Sequence, residues 1–314
     1  MVFPVFNEAA GTSARNHLHG TDRVEACRPL VVCDHSILPT RCSFAGMRHP
    51  LLPLLALAAA LLVAAPATAA SSRPSAPKLA TAVATGIDGL LSTARANLVG
   101  LADLPVVSSG DAAACSAEMA ARNTDPRYTT LGFATPDGNL DCLATPSATR
   151  VNIADRVYFL RATGTREYGV GIFQIGRATA LGSIGLGYPV TDQASGTLLG
   201  VVISPLDLGF LATQVSQLRP AAAADVLVVD NNGTVLARTG TKATAAGTNL
   251  GADPLVRAMT ASLNGTGSYT PSGTQRRVYA WATVPLSQGA VRVAVGLKRS
   301  VAAPTRGPGP GPKP

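Results

Sequence analysis

Histidine is nearly absent from this chain: His17, His19, His35 and His49 are the only ones, and no imidazole follows residue 49. That gap excludes a Ser-His-Asp triad, a Cys-His dyad and every histidine-based zinc site from the rest of the sequence. Cysteine is scarce over the same stretch, where Cys115 and Cys142 stand alone and are too few for a thiolate metal cluster. No segment carries the dense acidic spacing of a calcium loop. No metal, no organic cofactor and no catalytic function are therefore expected. Long apolar runs are also missing after residue 65, so no later segment is expected to re-enter a membrane.

The N-terminal part has a different character. Met47 is followed by Arg48 and His49, by the apolar run LLPLLALAAALLVAA over residues 51–65, and by the small residues PATAASS. That order is the order of a secretory signal peptide. Residues 51–70 are also just long enough to anchor in a bilayer, although Pro53 and Pro66 interrupt a spanning helix. Either way the remainder is expected in the periplasm or outside the cell, secreted or held at the cytoplasmic membrane by residues 51–70. Residues 1–46 hold Cys27, Cys33 and Cys42 with no sustained helical or strand period. They read as unstructured or as the product of an upstream start site.

Export places the remaining cysteines in an oxidising compartment, where an even pair forms and keeps a disulfide. A bridge between Cys115 and Cys142 is the expectation, with two buried free thiols as the alternative. Residues 71–314 carry 21 Lys and Arg against 14 Asp and Glu. Apart from Arg276-Arg277 and Lys298-Arg299 these cations are scattered singly and do not interleave with aromatics, so no nucleic-acid partner is expected.

Periodicity organises the rest. Leu79, Val83, Ile87, Leu90, Leu91, Ala94, Leu98 and Leu101 recur at spacings of three and four, which predicts one long helix from Lys78 to Leu104. At 1.5 Å per residue it extends about 40 Å. Such a helix can brace two modules, form a homodimer with a second copy, or simply pack. A second helix is predicted over Ala112 to Arg122. Strand-like runs over Tyr128 to Ala134 and Asn139 to Ala144 flank Pro136-Asp137-Gly138, a hairpin signal. A short helix over Ala154 to Ala162 follows, with Asp155 near its N-terminus. Strands are predicted over Tyr168 to Ile175, Ile184 to Val190 and Leu198 to Ile203, completing a five-strand set. After a connecting helix from Asp207 to Leu218 the scheme recurs. Asp225 to Val229 and Val235 to Arg238 flank Asn231-Asn232-Gly233. A helix over Pro254 to Leu263 then precedes strands over Gly267 to Tyr269, Arg277 to Thr283 and Val291 to Leu297.

The stretches YTTLGFATPDGNLDC, ADRVYFLRA, GIFQIGR, GYPVTDQASGTLLGVVISPLDL and VLVVDNNGTVLAR keep a specific order and spacing within residues 78–298. Together they resemble the double Cache family, the paired PAS-like extracellular sensor modules of bacterial chemoreceptors, histidine kinases and cyclases. The resemblance implies an α+β fold with a long N-terminal helix followed by two PAS-like modules, each an antiparallel sheet with flanking short helices. Residues 78–218 would form the helix and a membrane-distal module, 219–298 a membrane-proximal module, and 299–314 a Pro/Gly-rich flexible tail. It also implies a small ligand held in the first module, between helix and sheet.

Carried over residue by residue, Arg156, Tyr158 and Phe159 match the Arg and two aromatics that line the family's ligand site. Tyr168, Gln174, Arg177 and Tyr188 are further candidates. A guanidinium holds a carboxylate bidentately while rings close over its apolar remainder. The competing readings are core packing for both aromatics and an ion pair of Arg156 with Asp155 or Asp192. Amino-acid-binding members resemble one another in a Tyr five residues before the Arg, a Tyr eighteen after it and an Asp on the last strand. Here those places hold Val151, Gln174 and Ile203-Ser204-Pro205. The ammonium-binding half is missing, so an organic acid or another small anion is the expected ligand. Enzyme motifs are weak by comparison: Ser75-Ala-Pro-Lys78 lacks its partner motifs, and the glycines of GSIGLGYPV at 182–190 fit tight strand packing better than a nucleotide loop. Two functions remain open, an exported non-catalytic ligand-sensing domain of a signal-transduction protein and a stand-alone periplasmic small-molecule binding or scaffold protein without signalling output.

Overall fold

The computed structural model describes residues 75–219, 224–240, 244–270 and 275–298. The expected signal segment, residues 1–46 and the Pro/Gly-rich tail lie outside the described residues.

Helix α1 (Ala76–Ala102) is the longest element. It begins two residues before the predicted Lys78, because Pro77 sits in the first turn, where a missing N–H has no helical partner to lose. It ends before Leu104, which Pro105 forces into an extended conformation (φ −72°, ψ 125°). The predicted apolar stripe is buried: Leu79, Val83, Ile87, Leu91, Leu98 and Leu101 all join one core. Each such side chain stabilises the fold by about 1.5–3 kcal/mol on burial.

A single turn α2 (Pro105–Ser108) and helix α3 (Ala112–Arg122) follow. The α3 boundaries are those predicted, since Asp111 caps it by accepting hydrogen bonds from Ala113 N and Ala114 N. Strands β1 (Gly132–Ala134) and β2 (Leu140–Leu143) form the first hairpin, with Gly138 at φ +86° in its turn. Helix α4 (Val157–Thr165) then leads into β3 (Gly169–Ile175), β4 (Gly182–Thr191), β5 (Leu198–Ile203) and the short β6 (Leu206–Asp207). The sheet order is β2-β1-β5-β4-β3 with β6 beside β4, six strands where five were predicted. Two residues of β6, paired as Ser183↔Asp207 and Ile184↔Leu206, are too few to leave a period in the sequence.

Helix α5 (Leu208–Gln217), capped by Asp207, connects to the second unit. There β7 (Asp225–Asp230) and β8 (Val235–Thr239) form a hairpin, followed by α6 (Pro254–Ala261), β9 (Asn264–Tyr269), β10 (Arg277–Thr283) and β11 (Val291–Lys298). The order β8-β7-β11-β10-β9 repeats that of the first sheet, and every pairing in both is antiparallel. The fold is therefore α+β, a long helix followed by two PAS-like units. One core joins α1 to both sheets, through Val170, Leu186 and Val202 in the first and Val226, Val228, Val293 and Val295 in the second.

The main departure is at α4, predicted from Ala154. Residues 152–156 are instead held as a turn. Asn152 Oδ1 accepts from Ala154 N, Ile153 N donates to Gly138 O, and Arg156 N donates to Ile153 O. Docking on the hairpin consumes the groups that would start a helix there. Arg156 is thus the N-cap residue of α4, and Asp155 lies outside the helix.

Cys115 and Cys142 are bridged, tying α3 to β2 across a separation of 27 residues. Replacing both with Ala releases a loop of that length in the unfolded chain, a destabilisation of about 3.5 kcal/mol in the chain-entropy account. Calorimetry should show Tm lowered by roughly 7–14 °C; an unchanged Tm would mean the bridge contributes nothing.

Candidate functional site

Helix α4 lies on a patch of the first sheet that has no side chains. A Cβ added to Gly185 would meet Tyr158 Cδ1 at 2.0 Å, and one on Gly171 or Gly187 would come within 3.2 Å of the same ring. At Gly169 it would meet Tyr158 O at 2.3 Å. The Tyr158 ring therefore rests directly on strand backbone, and Gly185 and Gly187 of the 182–190 stretch serve this close approach.

Beside the ring, α4 and the turns at 151–156 and 176–179 leave a cavity against the sheet. Its volume is about 30 Å³ open to water centres and about 360 Å³ when all atom-free space out to the mouth is counted. The former is room for one or two waters. Thr129, Leu140, Val151, Ile153, Tyr158, Gln174, Ile203 and Pro205 form its walls, and Arg156 and Arg177 are its charged lining residues. No carboxylate is among the lining residues. Thr129 Oγ1 has almost no accessible surface and no hydrogen-bond partner in the protein.

The two arginines are held differently. Arg177 donates from Nη1 and Nη2 to the two oxygens of Asp155 at 2.6 and 2.7 Å, and from Nη1 to Asn152 O at 2.5 Å. This fork latches the 176–179 turn to the 152–156 turn. Hydrogen bonding from Arg177 holds the Asp155 carboxyl below the usual carboxylate range, and Asp155 in turn raises Arg177. Arg156 makes no ion pair among the described residues and donates only to Ile175 O, at 3.3 Å. Burial is the larger effect on the Tyr158 hydroxyl and pushes it up to about 12, against a smaller lowering by Gln174. Tyr158 therefore stays a neutral donor at physiological pH.

Of the candidates read from the sequence, Arg156, Tyr158, Gln174 and Arg177 line this cavity together. Phe159 does not; it is buried beneath α4 with Val151, Ile153 and Val201. Tyr168 and Tyr188 sit in the layer facing α1, and Tyr168 donates its hydroxyl to Leu91 O at 3.2 Å. Strand alternation separates these two from the cavity, because they share a face with Val170, Ile184 and Leu186. Sequence reasoning did not single out as site residues Thr129, Thr130, Leu140, Ile153 or Thr179, which also line the cavity, although both threonines at 129–130 fall in the stretch YTTLGFATPDGNLDC. Val151, Ile203 and Pro205, picked out as places where amino-acid-binding relatives carry other residues, do line the cavity.

No protein-family model and no curated protein matches the sequence. Solved structures do. The extracellular domain of the putative histidine kinase rpHK1S-Z16 superposes with a TM-score of 0.58 at 14% identity, covering 71% of this chain and 92% of that one. The ligand-binding domain of the Pseudomonas fluorescens chemoreceptor CtaA, solved with L-serine, gives 0.55 at 13% identity over 70% and 94%. That of the Pseudomonas aeruginosa amino acid chemoreceptor PctB, solved with L-Arg, gives 0.54 at 13% over 71% and 93%. The shared feature is the fold of these domains.

The glycine floor has a measurable consequence. Gly185→Ala should displace the Tyr158 ring and destabilise the protein by about 1–3 kcal/mol, the usual cost of overpacking. Gly164→Ala on α4, where an added Cβ meets nothing within 4 Å, should be neutral or stabilise by up to about 1 kcal/mol. Urea denaturation of the two variants distinguishes them, and equal midpoints would refute the close approach.

Proposed function

We propose that this chain, which has the double-Cache fold, is an exported, non-catalytic sensing domain that binds a small organic anion in the cavity between α4 and the first sheet. The supporting observation is a compact cavity that has two arginines and no carboxylate among its lining residues. Residues 78–218 form the ligand module in this reading and residues 219–298 the second module. CtaA and PctB, the similar domains, were solved with amino acids, L-serine and L-Arg. Here the anion-holding half of such a site has its counterpart in Arg156, while the positions expected to hold an ammonium group carry Val151, Gln174 and Pro205. A carboxylate seated between Arg156 and the Tyr158 hydroxyl would have its charge met, whereas an α-ammonium group would find no carboxylate among the lining residues. The narrow cavity favours acids of few carbons.

In this reading Asp155 acts as an internal competitor, because it occupies the Arg177 fork that a ligand anion could otherwise share. Its folded pKa is depressed, so the latch contributes above the ordinary Asp range and is lost as pH falls through the lowered value. At neutral pH the latch is closed. Calorimetry or thermal shift with acetate, propionate, lactate and malonate, set against L-alanine and L-serine, tests the assignment. At least one acid should raise Tm at millimolar concentration and the amino acids should not. Arg156→Ala should weaken that acid at least tenfold, and Asp155→Asn, which frees Arg177, should tighten it several-fold. Strong amino-acid binding would overturn the anion assignment.

A further inference from the structure

Strand β3 carries a bulge at the point where it passes the second unit. Its pairing with β4 runs Gly169↔Gly187 and Val170↔Leu186, then resumes at Phe173↔Ile184, so three steps on β3 match two on β4. The extra residue frees backbone groups on either side of it from β4, and these link to the second unit, one directly and one through Arg161. On one side Val170 O accepts from Arg161 Nη1 at 2.6 Å, and the same nitrogen donates to Ser287 O at 3.3 Å. On the other, Phe173 N donates to Asp230 Oδ2 at 3.1 Å. The Asp230 carboxylate is buried and its other oxygen accepts from Asn232 N and Thr234 N in the β7–β8 turn. The Phe173 ring packs on Gly247, where an added Cβ would come within 2.7 Å of it. Gln288, held at φ +54°, donates from Nε2 to Tyr168 O at 2.8 Å.

The Arg161 and Phe173 bonds begin next to a cavity wall. Arg161 lies one turn after Tyr158 on α4, and Phe173 immediately precedes Gln174 on β3. We propose that the β3 bulge is the joint through which the state of the cavity reaches the second sheet, with Arg161–Ser287 and Phe173–Asp230 as its two attachments. Displacing α4 or β3 from the cavity side then shifts the 284–291 turn and the β7–β8 turn together. The proposal rests on the reading of the cavity as a ligand site for its biological use, but the mechanical link does not depend on which ligand binds. An occupant can bias the second sheet only by as much as it prefers one arrangement of these walls over another.

Hydrogen exchange measured by mass spectrometry on the ligand-free protein tests the joint. Gly185→Ala, which pushes on Tyr158, should raise exchange several-fold in 284–291 and 230–236. In an Arg161→Met background the same substitution should add less than twofold in 284–291, because the attachment is already gone. Arg161→Lys, which keeps the charge but loses the fork, and Gln288→Ala provide the comparison if Arg161→Met does not fold. An unchanged second sheet in Gly185→Ala, or fully independent effects of the two substitutions, would overturn the proposal. Propionate supplies a second arm: where it binds, Arg161→Met should keep the affinity within about threefold yet lose the exchange change in 284–291. Failure of propionate to bind counts against the anion reading alone, and the ligand-free comparison still decides the joint.

Discussion

One apolar stripe on α1 closes two sheets at once, and the rest of the molecule depends on it. Leu79, Val83, Ile87, Leu91 and Leu98 lie in a core that takes Val170, Leu186 and Val202 from the first sheet and Val226, Val293 and Val295 from the second. Neither sheet could cover that face alone, since a half-buried antiparallel sheet must pack one side against something. Both sheets therefore lean on this one helix. Leu286 N donates to Asp88 Oδ1 at 2.6 Å, and Tyr168 donates to Leu91 O at 3.2 Å, so α1 holds each unit by a polar bond as well.

The opposite face of the first sheet follows a different rule. There the sheet withdraws its side chains at Gly171, Gly185 and Gly187, and α4 settles onto bare backbone through Tyr158. The close approach leaves only a narrow space beside the ring, which is why the cavity is small and its walls are so few. It also fixes the Tyr158 hydroxyl in a buried place, where desolvation raises its pKa and keeps it a donor. Geometry and protonation state have one cause, the absence of three side chains.

Much of this architecture was legible in the sequence because its signals are local. Spacings of three and four located α1 within two residues of its ends, and the predicted range of α3 matches the observed one. The Asp-Gly and Asn-Gly turns located both hairpins, and export together with an even cysteine pair pointed to the bridge. What escaped is decided by tertiary contact. The start of α4 moved from Ala154 to Val157 because residues 152–156 bond to the Gly138 turn, which no local propensity encodes. Tyr168 and Tyr188 differ from Gln174 not in residue chemistry but in the face they present, and the bulge between Val170 and Phe173 shifts that alternation within β3. Thr129 and Thr130 fall in the stretch YTTLGFATPDGNLDC but have no residue chemistry that marks them as cavity lining; only the fold brings them there.

The pairing of Arg177 with Asp155 bears on how such a site could stay selective. An unpaired guanidinium beside a small cavity would attract any anion, and two of them would hold a divalent ion such as sulfate or phosphate strongly. With Arg177 occupied by Asp155 and Asn152 O, a single uncommitted cation, Arg156, faces an incoming group. Charge balance then favours a monovalent carboxylate, whose apolar part can lie against Val151, Ile153 and Ile203. The latch is exposed, so its energy is modest, in the range of a surface ion pair. A latch of that strength is enough to set the resting charge of the cavity and weak enough for an occupant to reopen. Selectivity of this kind would come from the protein's own carboxylate more than from the shape of the walls.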